Sequence, residues 1–167
     1  MEEKEVQLWS EFARELRRRV RWDVEKVERA LVGALEALPT LEGKEREQLL
    51  KIGWVVAERS SKLAVAFLRL GPKVLSSLSP AIRPILIPWA MILAAHSRET
   101  LIDFLEKSRE ILAALPEEES PFLLHQGLEL AVLDPSVGYQ FFLHLPKISK
   151  EISKERLESS RNKLESF

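Results

Sequence analysis

An all-α helical repeat, an α-solenoid-like array with a period of 37 residues, is the architecture to expect of this chain. Phe67, Phe104 and Phe141 are 37 residues apart, and so are Ala57, Ala94 and Ala131. Ser60, Ser97 and Asp134 share the grid, as do Val74, Ile111 and Ile148, and Leu78, Leu115 and Ile152. One period earlier, Val20, Asp23, Leu31 and Leu41 stand opposite Ala57, Ser60, Leu68 and Leu78. A period of this length means supersecondary units too small to bury their own apolar faces, which therefore stack. Two further observations agree. No stretch alternates apolar and polar residues, and no Asn-Gly or Asp-Gly pair marks a hairpin. Leu, Ala, Glu, Arg and Lys dominate, and all favour helix.

A single domain over 1–167 is expected, with 1–43 as a degenerate first repeat, 44–152 as three-piece repeats and 153–167 as a polar helix or tail. In the first segment Val6, Trp9, Phe12, Leu16 and Val20 recur at three- and four-residue steps, giving one apolar stripe. Asp23 then has the chemistry to cap a second helix whose inward positions are Val24, Val27, Ala30, Leu31, Ala34 and Leu38. Pro39 and Gly43 punctuate the connection to a helix from about Lys44 to Arg59, whose apolar positions include Leu49, Ile52 and Trp54.

Each later repeat reads as three pieces. A helix ends near Ala57, Ala94 or Ala131, and a polar residue (Ser60 or Ser61, then Ser97 and Asp134) can take up a free backbone N–H at the next helix start. The second helix carries the repeating phenylalanine and is broken at Gly71-Pro72, Ser108 or Pro146; a short third piece follows. Pro80, Pro84 and Pro88 predict a turn or distorted helix up to Pro88, because an interior proline costs about 3 kcal/mol. Regular helix is expected only from Trp89 to Ala95. Ser120-Pro121 starts a helix running to Leu133, and Ile152, Leu157 and Leu164 form a thin stripe in the tail.

Composition removes several functions. A net charge of −1, from 25 basic and 26 acidic residues, supplies no field for nucleic acid, an anionic membrane or acidic substrates. With no cysteine there are no disulfides, thiolate metal sites or thiol nucleophiles, which fits a reducing compartment. The acidic start MEEKEVQLWS is unlike a signal peptide. The most apolar stretch, Ile82 to Ala95, is interrupted by Arg83, Pro84 and Pro88 and is too short to span a bilayer. A cytoplasmic setting is expected.

No catalytic, cofactor or metal residue emerges. His96, His125 and His144 show no ligand spacing, no glycine-rich phosphate loop occurs, and no serine lies in a G-x-S-x-G context. Glu117, Glu118 and Glu119 suit a helix N-terminus electrostatically. One charge cluster invites a functional reading. Arg14, Arg18 and Arg21 lie close to one helical face with Arg17 beside them, a surface able to grip phosphates or an acidic protein. Against it stand Glu11 and Glu15, spaced to pair with Arg14 and with Arg18 or Arg19. Trp9, Trp54 and Trp89 sit in apolar patterns and are expected in the core. Trp22, between Arg21 and Asp23 at a helix junction, is the tryptophan available to a partner. The candidate partner-binding residues are therefore Arg14, Arg17, Arg18, Arg21 and Trp22.

Between about Ile52 and Ile152, Trp89, Leu93, Ala94 and Ser97 match a unit in which tryptophan precedes Leu-Ala-x-x-Ser. Phe104, Leu105, Ser108, Ile111, Leu112 and Leu115 match a companion unit. The pattern resembles the helical region preceding the von Willebrand factor A domain in NorD-like bacterial proteins. That resemblance implies a helical scaffold serving a larger assembly, since the family is associated with MoxR-type ATPases and metalloenzyme activation. The A domain and its D-x-S-x-S motif are absent here, so no functional residue carries over.

The expected function is a non-catalytic protein–protein interaction scaffold, adaptor or assembly factor, not an enzyme. Its partner is another protein, with self-association through apolar stack ends as a further possibility, while nucleic acid is disfavoured and no membrane is involved. The alternatives are a nucleic-acid-binding module using the Arg14–Arg21 face and a small-ligand-binding domain with a pocket between repeats.

Overall fold

The computed structural model describes residues 1–165, with side chains throughout except those of 160 and 163–165. Nine α-helices occur among these residues, and no strand. They are α1 (Glu3–Arg19), α2 (Val24–Ala37), α3 (Gly43–Ala57), α4 (Ser61–Ser76), α5 (Arg83–His96), α6 (Arg98–Ala113), α7 (Ser120–Leu133), α8 (Pro135–Leu143) and α9 (Leu145–Glu165). Short 3-10 turns at Arg21–Asp23 and Leu38–Thr40 flank α2. The chain falls into two compact units, Met1–Arg109 and Glu110–Phe167.

In the first unit, α1 is a helix with its charges aligned to its dipole. Glu3 and Glu5 lie in the first turn and Arg17, Arg18 and Arg19 in the last. Its apolar stripe buries Trp9, Phe12, Ala13 and Leu16. α2 buries the small residues Ala30, Gly33, Ala34 and Ala37, which let it lie close on α4. At Gly33 an added Cβ would stand 2.8 Å from Lys73 Cε of α4. α3 packs on α4 and α5, and its Gly53 makes room for the ring of Phe12, whose Cζ would lie 2.9 Å from a Cβ there. Phe12 in turn meets Trp54 edge to face at 4.9 Å, and Trp89 stacks on Phe104 at 5.5 Å. Such ring pairs add to what burial alone gives.

Helix starts follow local chemistry. Ser60 Oγ accepts the Leu63 N–H at 3.1 Å, Ser97 Oγ accepts that of Thr100 at 3.3 Å, and Asp134 Oδ1 accepts those of Ser136 and Val137 at 3.0 and 3.3 Å. These are the caps expected at 60, 97 and 134, and Ala57, Ala94 and Ala131 just before them are all buried. Phe67 and Phe104 are buried as well, but Phe141 is half-buried and its neighbour Phe142 takes the core position. Asp23 makes no side-chain cap; a 3-10 turn carries the chain into α2 instead, leaving Val24 exposed.

Several expected breaks do not occur. α4 runs through Gly71 and Pro72, and α6 runs through Ser108. Buried Pro72 gives up one backbone hydrogen bond but packs in the core with Val74 and Leu75, and burial outweighs the loss. The Ser108 hydroxyl donates to the Phe104 carbonyl one turn back, so it is satisfied inside the helix. α5 starts at Arg83 and passes through Pro88 to His96. Pro84 falls in the first turn, where no N–H is needed, and Pro88 frees only the carbonyl of Pro84, an exposed residue that water reaches. The separate third piece is therefore missing after α4 and α6, because those helices absorb it. Trp54, expected in the core, is 37% exposed at the rim.

In the second unit, α7 and α8 pack closely. Backbone atoms of Ala131 lie so near Gly138 that a Cβ there would meet its Cα at 2.5 Å. Leu123, Leu124, Phe142 and Leu145 form the centre, and Tyr139 stacks on Phe142 at 6.3 Å. Glu119, just before α7, accepts from Ser149 Oγ at 3.2 Å and from Arg156 Nη1 at 2.9 Å, fastening α9. Of the tail stripe, Ile152 is half-buried and Leu157 exposed, while the Leu164 side chain lies outside the described residues.

Candidate functional site

The candidate site forms where α1 hands over to α2. Val20 leaves the helical conformation at φ −106° and ψ 64°, and its N–H still bonds to Leu16 O at 2.8 Å. Its side chain turns into the core while the 3-10 turn, closed by Asp23 N–H to Val20 O at 3.2 Å, throws the next two residues outward. Trp22 is 82% exposed, the most open of the four tryptophans. It forms one wall of a hollow of about 360 Å³ whose other lining residues are Val20, Asp23, Lys26, Lys62 and Val65. Val20 and Val65 are buried and make an apolar floor. Lys26 and Lys62 are exposed at the mouth, and neither takes part in an ion pair among the described residues.

The structure separates the arginines of α1 by employment. Arg17 pairs with Glu28 of α2. Arg18 and Arg19 share Glu15, and Arg19 Nη1 also donates to the carbonyl of Ala57 at 2.7 Å, closing the last turn of α3. These hydrogen bonds, from Arg18 first and Arg19 second, hold the Glu15 carboxyl down at about 2. Arg21 Nε donates to Arg18 O at 3.3 Å. Arg14 is exposed and forms no pair with Glu11. Of the five candidate residues, only Trp22 lines the hollow; Arg21 precedes it in the chain but is not part of the lining. Lys26 was legible as a cation four residues after Trp22 in the sequence, but Lys62 and Val65 come from α4 and carry no local signal.

Two other hollows lie in the same unit. One of about 420 Å³ is lined by Glu5, Leu8, Trp9, Gly43, Arg46, Glu47 and Leu50. Its polar groups are already paired: Arg46 binds Glu5 and the Leu41 carbonyl, and the guanidinium holds the Glu5 carboxyl below its ordinary range. The other, about 250 Å³, lies between the starts of α4 and α6 and is lined by Arg59, Ser60, Leu63, His96, Ser97, Arg98 and Glu99. His125 Nδ1 lies 3.4 Å from Glu129, and His144 Nδ1–H donates to Gln140 O at 2.7 Å at the end of α8. Among the described residues, no group of three or more His, Asp or Glu side chains is placed to hold a metal ion. No described helix is long and apolar enough to cross a membrane.

Compared with protein families, with characterised proteins and with solved structures, the chain matches none.

Proposed function

We propose that this protein is a non-catalytic interaction module that engages another protein through the α1–α2 junction. The carrying observation is Trp22, a large aromatic held in water at 82% exposure beside an apolar floor and two unpaired lysines. A folded protein gains nothing by exposing an indole, whereas tryptophan is the residue most enriched among interface hot spots. The helical pairs that the sequence period marks out are read as a stacked, solenoid-like scaffold presenting this junction, in a cytoplasmic setting and in the manner of the NorD-like helical regions.

The nucleic-acid reading is weaker because Glu28 and Glu15 engage Arg17, Arg18 and Arg19 and interrupt the cationic face that a phosphate backbone would follow. The small-ligand reading is weaker because the larger hollow has its polar groups paired with one another.

The test is a photoreactive phenylalanine analogue placed at position 22, and in a second preparation at exposed Met91, with crosslinks in extract of the source cell mapped by mass spectrometry. Saturable crosslinking to a defined protein from position 22 and not from 91 is the expected result. Equal labelling from both positions, or none, removes the proposal.

A further inference from the structure

We infer that the partner presents a short acidic segment with an apolar or aromatic anchor, the anchor entering the hollow beside Trp22 and its flanking carboxylates meeting Lys26 and Lys62. The inference rests on the interaction reading above and adds the chemistry of what is bound. Shape and charge carry it together. The floor side chains are Val20 and Val65, both buried and without a hydrogen-bonding group, so the hollow suits an apolar group there. The indole of Trp22 is 82% exposed and makes no ring contact among the described residues, so its face is open to stack on an incoming side chain.

The mouth is cationic. Lys26 and Lys62 enter from two different helices, α2 and α4, and neither is neutralised among the described residues, while a single carboxylate, Asp23, lines the same hollow. Arg17, Arg18 and Arg19 of α1 are tied to Glu28 and Glu15, whereas these two lysines have no carboxylate partner among the described residues. In a chain with net charge −1 this is a local feature, suited to a few carboxylates on one peptide and not to a polyanion. One anchor and a few rim charges make a small interface, which places the complex among weak, transient ones.

Random dodecapeptides displayed on phage and selected on the intact chain at physiological salt test this, with oligothymidylate as competitor. Enrichment of peptides carrying Asp or Glu on both sides of Phe, Trp or Leu is expected. Their binding is expected to fall by about tenfold or more on Trp22→Ala, as the loss of an interface anchor gives. The double variant Lys26→Glu with Lys62→Glu is expected to weaken it at least as much, and all these side chains are exposed, so circular dichroism should show unchanged melting. Basic or uncharged enriched peptides, no enrichment, binding indifferent to both variants, or displacement by oligothymidylate each overturn the inference. Crosslink mapping separates the two claims. If position 22 reaches a defined protein through a segment that is not acidic, only the acidic segment is lost, whereas if it reaches no protein both fall. A second copy of the chain counts as support only where the mapped segment is acidic.

Discussion

The Glu45 carboxylate joins two helix starts: Oε1 accepts the Glu42 backbone N–H at 2.9 Å, and Oε2 accepts Nε–H of Arg83 at 3.1 Å. Both side chains are buried, and Arg83 also reaches the Leu78 carbonyl at 3.3 Å. Removing one partner of such a pair strands a desolvated charge. Arg83→Met should therefore cost about 3 kcal/mol in urea unfolding. The double variant Arg83→Met with Glu45→Gln, which keeps an acceptor for Glu42, should recover part of that loss; a double variant less stable than the single would refute this account.

The serine and aspartate caps should behave alike. Ser60→Ala, Ser97→Ala and Asp134→Ala each remove the acceptor for a first-turn N–H and should each cost about 1 kcal/mol. Glycine at the same positions should cost only a few tenths, because water then reaches the free N–H groups. Alanine variants as stable as the parent chain would show that these cap bonds contribute nothing.

Gly138 sets the spacing of α7 and α8. A methyl group there would lie 2.4 Å from Ala131 Cβ, with backbone behind it, so neither side can yield cheaply. Gly138→Ala should destabilise by about 1–3 kcal/mol despite alanine's better helix propensity. A stabilised variant would mean that the two helices can move apart freely.

Acid should loosen the α1 clasp. The Glu15 pKa falls from an ordinary 4.5 to about 2 on folding, so the stabilisation is present above 4.5 and is lost as pH falls through 2. Glu5, lowered by Arg46, acts in the same direction. Thermal midpoints should therefore drop between pH 4.5 and 2, and Glu15→Gln should make that drop shallower. An unchanged slope in the variant would show that the Arg18 and Arg19 bonds do not survive in solution.

The starts of α4, α6 and α8 were legible because a cap is a local device, one side-chain oxygen and one N–H two or three residues on; the Asp23 cap and the start of α5 were not. The helix interiors were harder to read. Pro72, Pro88 and Ser108 carry breaking signals, yet each lies in a segment whose flanking apolar residues are buried, and packing overrides propensity there. Phe142 and not Phe141 is fully buried in α8, the helix whose Gly138 crosses Ala131 closely, and the 37-residue spacing does not anticipate it. At the candidate site, Trp22 was visible from its place between charged residues at a helix junction. The arginine face was less informative, since Arg17–Glu28 joins residues 11 apart on different helices and Arg19 bonds a carbonyl 38 residues away. Lys62 reaches the hollow only because α4 packs on α2.

The turn at Arg21–Asp23 also makes the molecule its own optical sensor. Trp9 and Trp89 emit from dry surroundings at 1% and 0% exposure, while Trp22 relaxes into water at 82%. Iodide should therefore quench the red side of the fluorescence spectrum first, and a segment closing over the hollow should shift emission to shorter wavelength and shelter that component. Occupancy of the α1–α2 junction can thus be followed by intrinsic light alone, without attaching a dye to the surface whose contacts are in question.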